Sequence, residues 1–293
     1  MNSQPPTLLP QLRTLGISTR KGLGQHFLTD PNILDAIVAA ADLPPDAVVI
    51  EVGPGPGTLT AALLPGVGRL IAIELDDRLA PLLAELYKAW PWVHVLHGDA
   101  LKLSPQVALK KTGGVAPYYV LGNIPYYITS PLLRHFLEAD PPPRRMVFTL
   151  QLEVARRIVA HPPQMNLLAV SVQTYARPTI VRKLPPGVFM PPPKVHSAVL
   201  RLDTLPQPLI PLEHRHDFFR VVKAGFAQKR KILRNSLSAG LNLPPQITQT
   251  IILDAGLNPR QRAQELSISQ WALLTEAFQK VTHHGGGPRV GRR

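Results

Sequence analysis

Short apolar runs, each closed by a polar residue, recur along the first half of this chain. Ala47-Val48-Val49-Ile50 ends at Glu51 and Leu70-Ile71-Ala72-Ile73 at Glu74; Val93-His94-Val95-Leu96 runs on to Asp99, and Tyr118-Tyr119-Val120-Leu121 ends near Asn123. The closing polar residues stand 23, 25 and 24 residues apart. Four-residue apolar runs between polar breaks read as buried strands, and the helical segments between them complete βαβ units. The fold class is α/β with a parallel sheet. Each polar residue then arrives at the carboxyl end of its strand, where open α/β sheets bind ligands. Chance rarely brings four such groups to one crevice at a regular interval.

Other elements follow from local signals. Thr29-Asp30-Pro31 ahead of Ile33, Leu34, Ile37 and Val38 reads as a helix start, with Asp30 as cap and Pro31 as first helical residue. Met146–Leu150 is a further strand, leading into a helix from about Glu153 to Ala160. Residues 167–175 are ambiguous by period. Segments 179–184 and 197–203 suit a closing antiparallel pair. Pro206-Gln207-Pro208 and Pro211 mark a linker. Beyond it, Phe218-Phe219, Val221-Val222, Phe226, Ile232-Leu233, Ile251-Ile252 and Trp271–Val281 carry helical spacing. The expected division is an N-terminal extension over 1–20, an α/β domain over 21–205, a small all-helical domain over 206–284, and a disordered basic tail over 285–293.

Charge adds a partner. The net charge of +13 calls for an anionic partner, most commonly nucleic acid. Residues 206–293 carry 13 Lys/Arg against 5 Asp/Glu, so the smaller C-terminal part is the more basic per residue. No basic amphipathic helix stands near a terminus and no apolar run approaches a membrane span, so no membrane partner is expected. The chain has no cysteine, which removes disulfides, thiolate metal sites and Cys nucleophiles together. Pro5, Pro6 and Pro10 interrupt the first twenty residues, so no signal peptide is expected and the reading is a cytoplasmic monomer. A strand would put His94 and His97 on opposite faces, and His214 with His216 lacks a supporting carboxylate cluster, so no metal site is expected.

The candidate chemistry lies at the strand ends. Glu51-Val52-Gly53-Pro54-Gly55-Pro56-Gly57 follows the first strand and opens a helix, and its alternating glycines allow a tight turn close to a ligand. A nicotinamide dehydrogenase would show G-x-G-x-x-G; here the third glycine comes one residue early and prolines fill the gaps, which suits a ligand without phosphate. Glu74 is placed to grip a ribose diol and Asp99, in Gly98-Asp99-Ala100, to accept from an adenine amine. Together they describe an S-adenosylmethionine pocket. Asn123-Ile124-Pro125-Tyr126 then offers two acceptors, the Asn123 carboxamide oxygen and the Ile124 carbonyl, for both hydrogens of an exocyclic amine. Paired acceptors favour the pyramidal nucleophile and stabilise positive charge growing on it. The Tyr126 ring can stack on the base.

Six segments together are similar to the ribosomal RNA adenine N6,N6-dimethyltransferases, which act on adjacent adenines of small-subunit ribosomal RNA. They are Lys21–Leu28, Gly53–Gly57, Glu74, Asp99, Asn123–Tyr126 and Phe189-Met190-Pro191-Pro192-Pro193-Lys194-Val195-His196-Ser197. The likeness runs from about Lys21 to Leu237. It implies a Rossmann-like class I S-adenosylmethionine methyltransferase domain with a helical C-terminal domain. It also implies cofactor contacts from His26, where the family more often has Asn, and from Leu28. It makes Phe189 a second plate for the base. Phe226–Leu237 resembles the family's basic C-terminal helix, so Lys229, Arg230, Lys231 and Arg234 become candidate RNA contacts. The implied partner is small-subunit RNA or a partly assembled small subunit. Rival readings are a large-subunit adenine methyltransferase of the Erm type, a non-catalytic RNA-binding assembly factor on the same scaffold, and a small-molecule methyltransferase, which leaves the basic C-terminal part unexplained.

Overall fold

Seven strands make one sheet in this computed structural model, which describes residues 5–12 and 14–284. In chain order they are β1 (Val48–Val52), β2 (Arg69–Glu74), β3 (Val93–His97), β4 (Tyr118–Asn123), β5 (Arg145–Gln151), β6 (Ala176–Leu184) and β7 (Ser197–Thr204). Their order across the sheet is 3-2-1-4-5-7-6. The first five are parallel, with Ile50 beside Ile71 and Val120, and β7 then runs antiparallel to both β5 and β6. Order 3-2-1-4-5 reverses direction at β1, and that switch point opens the crevice beyond the strand ends. The closing antiparallel pair falls where the 179–184 and 197–203 patterns placed it.

Alternation sets the core. Val49, Leu121, Val147 and Val199 of the sheet are buried together with Ile33, Leu34 and Ile37 of helix Pro31–Ala41. That helix begins as its sequence requires: the Asp30 carboxylate accepts from Asn32 N at 2.9 Å and Ile33 N at 3.4 Å. Such a cap is worth about 1 kcal/mol. At the carboxyl edge Gly122 lets β4 and β1 close up, since a Cβ there would lie 2.6 Å from the Val52 carbonyl oxygen. A short antiparallel ribbon pairs Phe27–Leu28 with Phe189–Met190.

The chain divides into two units, and the boundary differs from the expected one. The sheet unit comprises the chain to Arg156 and Ala176–Thr204; Arg157–Tyr175 groups with residues from Leu205 onward. Residues 167–173, ambiguous by period, are a helix capped by Asn166, whose side chain accepts from Leu168 N and Ala169 N. Its Ala169 and Val170 are buried with Phe218, Val221, Leu237, Trp271 and Phe278 in the core of the helical unit. Burial of these apolar side chains, rather than position along the chain, assigns the segment. The expected tail 285–293 lies outside the described residues. Among those described, no helix is long and apolar enough to cross a membrane.

Candidate active site

One cleft in the sheet unit is lined by Glu51, Gly53, Gly55, Glu74, Asp99, Asn123, Ile124, Pro125 and Tyr126, together with His26 and Leu28. Four strand ends thus converge as their spacing implied.

The glycine loop forms the floor. Gly53, Gly55 and Gly57 have φ of 67°, 57° and 85°. A Cβ on Gly53 would meet nothing within 4 Å, so the backbone there is open to a ligand, whereas one on Gly55 would come within 3.0 Å of the Phe27 ring. The loop is tied to β2: Gly55 N donates to Glu74 Oε2 at 2.9 Å, and Asp76 N donates to Glu74 Oε1 at 2.7 Å. Glu74 is only 4% exposed, and burial raises its pKa against the opposing effect of these two bonds. Each carboxylate oxygen keeps a second lone pair for a ligand hydroxyl. Glu74 therefore both shapes the loop and faces the cleft.

Glu51 is buried deeper. The Thr60 hydroxyl donates to its Oε2 at 2.7 Å, and burial pushes its pKa up to about 8. Asp99 accepts from Leu101 N at 2.9 Å through Oδ1, leaving Oδ2 for another donor.

Asn123 closes β4 with its orientation fixed. Its Nδ2 donates to the His26 carbonyl at 2.6 Å. A carbonyl only accepts, so the amide nitrogen must face it and the amide oxygen must face away. No described residue donates to that oxygen or to the Ile124 carbonyl. Pro125, at φ −57°, starts a short turn that presents Tyr126. The Tyr126 hydroxyl bonds Ser197 Oγ at 2.7 Å, and its ring lies near-parallel to His26 at a centroid distance of 6.1 Å. His26 is anchored in turn by Nδ1, 2.7 Å from the Pro191 carbonyl oxygen.

Two expectations need correction. Phe189 does not line the cleft: paired with Leu28 in the ribbon, it is 4% exposed within the apolar core. An aromatic side chain on a two-residue ribbon over that core gains more from burial than from facing water. The ring beside Tyr126 is His26 instead. The basic run is not helical either: helix Arg215–Phe226 stops, and helix Leu233–Leu241 starts only after it. The break lets Val221 and Val222 before it, and Leu233 and Leu237 after it, enter the same core. Lys229, Arg230 and Lys231 stand exposed on the connecting loop. Arg234 lies in the first turn of the second helix, with its guanidinium near Asn235 and Gln249.

Sequence reasoning missed the support beneath Glu74. Asp76 is fully buried and bonded by Arg78 at 2.7 Å and Gln25 at 3.0 Å, with Arg20 at 3.6 Å. Burial opposes its charge, but the Arg78 and Gln25 hydrogen bonds outweigh that and hold its pKa well below the carboxylate range. The signal was the acid pair Asp76-Asp77 directly after a strand end, with Arg78 beside it. Among the described residues, no group of three or more His, Asp or Glu could hold a metal ion.

Comparison with known proteins adds relatives to this geometry. A family model described as ribosomal RNA adenine dimethylase matches residues 16–280. A ribosomal RNA small subunit methyltransferase A of Dehalococcoides mccartyi is 44% identical over 275 residues, covering 92% of this chain and 93% of its own. The crystal structure of a dimethyladenosine transferase from Plasmodium falciparum matches with a TM-score of 0.74 at 26% identity, covering 87% of this chain and 98% of that one. That of the 23S rRNA methyltransferase ErmE matches with a TM-score of 0.68 at 29% identity, covering 86% and 98%.

Proposed function

The chain belongs to the ribosomal RNA adenine dimethylase family, and from that premise we propose that it dimethylates the N6 amines of two adjacent adenines in small-subunit ribosomal RNA. The donor is S-adenosylmethionine. The substrate is the RNA, free or within a partly assembled subunit. The observation that carries the reading is the Asn123 carboxamide, which lines a cleft floored by the glycine loop with its nitrogen held by the His26 carbonyl and its oxygen left to accept.

The donor set fits that cofactor. Gly53 offers open backbone, Glu74 has lone pairs for a ribose diol, and Asp99 has a free oxygen for an adenine amine. When bound, the cofactor supplies an electrophilic methyl group on a sulfonium. The chain's own residues act on the amine. Asn123 Oδ1 and the Ile124 carbonyl accept its two hydrogens, drawing the nitrogen out of conjugation and offsetting the positive charge of alkylation. Tyr126 holds the base by stacking, worth about 1–3 kcal/mol. Positioning supplies most of the rate, since these groups fix the attacking atom, and the surplus proton on the alkylated nitrogen passes to solvent after each transfer. An adenine in a loop reaches such a cleft at least cost, because it need not leave a duplex.

The test is incubation with labelled S-adenosylmethionine and small subunits lacking the modification, followed by nucleoside mass analysis. N6,N6-dimethyladenosine at two neighbouring positions is expected. The likeness to ErmE favours a second reading, methylation of a large-subunit adenine. Label appearing on large-subunit RNA, with none on small subunits, would replace the first reading by the second.

A further inference from the structure

The N-terminal residues run behind the glycine loop, away from the cleft. Leu8 N donates to the Pro56 carbonyl at 2.8 Å. Leu8 and Leu12 are buried in a cluster with Phe27, Leu79, Leu83 and Tyr87. Tyr87 follows helix Leu79–Leu86, and its hydroxyl oxygen lies 2.8 Å from the Pro6 carbonyl and 3.1 Å from the Gly57 carbonyl. The single O–H hydrogen is shared between an acceptor on each segment. The fit is close, since a Cβ on Gly57 would fall 2.7 Å from that hydroxyl oxygen. Burial pushes the Tyr87 phenol up, so it stays a donor over the ordinary pH range.

The loop is therefore held from two sides. Glu74 grips Gly55 from β2, while Leu8 holds Pro56 and Tyr87, bonded also to the Pro6 carbonyl, holds Gly57. Leu8 and Tyr87 do not line the cleft. A loop with three glycines at positive φ has many alternative shapes when free, and ordering it on binding would cost affinity. Holding it in shape beforehand removes that cost.

We propose that Tyr87 and the Pro6–Leu8 segment are a positioning device for the cofactor loop, setting S-adenosylmethionine affinity without touching the cofactor. This rests on the cofactor reading above. The proline-rich N-terminal extension thereby gains a role, because its prolines limit the segment's freedom before it docks.

The test measures equilibrium binding of S-adenosylhomocysteine to the full chain, well below the melting transition. It compares the unmodified protein with Tyr87→Phe, Leu8→Ala and the double variant, with Tm recorded for each. Each single change is expected to weaken binding about three- to tenfold: Tyr87→Phe removes the hydroxyl's hydrogen bond, and Leu8→Ala keeps the backbone N–H but removes apolar contacts that seat the segment. The double variant is expected to lose less than the product, because both changes loosen the same docked segment. A lower Tm with Kd within twofold of the unmodified protein assigns these residues to stability alone and overturns the proposal. Fully multiplicative losses overturn it as well. An unmodified chain that binds no S-adenosylhomocysteine instead removes the cofactor reading itself.

Discussion

The carboxamide of Asn123 and the backbone carbonyl of His26 meet at 2.6 Å, and that contact decides what the cleft presents to a substrate. The amide nitrogen commits one of its two hydrogens there, and the amide oxygen accepts from no described residue. In the reading proposed above, this oxygen and the Ile124 carbonyl hold an adenine amine through two hydrogens in the first transfer and through the one that remains in the second.

Asn123→Ala removes one acceptor where positive charge grows. It is expected to lower kcat by about 10²–10³-fold, while S-adenosylhomocysteine Kd stays within a few fold. Single-turnover methylation and calorimetry separate the two effects. A fully active variant would discard the role given to Asn123.

Tyr126 has a stacking face and a hydroxyl that act differently. Tyr126→Ala removes the plate and is expected to raise KM for RNA by roughly 1–3 kcal/mol in binding terms. Tyr126→Phe keeps the plate but strips the buried Ser197 hydroxyl of its partner; its cost should appear mainly in Tm. Steady-state kinetics showing equal KM for both variants would argue against stacking.

Glu51 gives the ligand-free chain a pH dependence of stability. Its pKa rises on folding from 4.5 to about 8. Between those values the folded chain holds a proton that the unfolded chain has released, so stability is full below pH 4.5 and falls as pH rises through about 8. Glu51→Gln mimics the neutral form and should flatten this loss, its Tm relative to the unmodified protein's rising from pH 4.5 to about 8 and levelling off above. Parallel Tm curves for the two proteins would remove the effect.

Lys229, Arg230 and Lys231 stand on an exposed loop and carry the RNA reading of the helical unit. Replacing all three by Ala should weaken RNA binding and flatten its slope against log salt by about 2, three phosphate contacts at about 0.7 each. Affinity for S-adenosylhomocysteine should not change. Filter binding over a salt series reads both the loss and the slope; an unaltered slope would place RNA elsewhere.

Much of the frame follows from local pattern. The apolar runs ending at Glu51, Glu74, Asp99 and Asn123 contain the strands, and βαβ connectivity then brings their ends to one edge, because parallel strands joined by helices all point the same way. Asp30 and Pro31 likewise mark a helix start through bonds within three residues. Charge counting reaches the basic loop but not its conformation, since helix length there depends on where Val222 and Leu233 find their core.

Chain composition and period thus determine the α/β class, the cleft edge and the residue types delivered to it. Tertiary packing decides the rest. It turns Asn123 with a carbonyl 97 residues away, clamps the glycine loop between Glu74 and Tyr87, sinks Phe189 into the core and assigns residues 157–175 to the helical unit. The physical reason is one of range. Hydrophobic period and caps act within a few residues, whereas the partner of a given donor or ring depends on which distant segments share its volume.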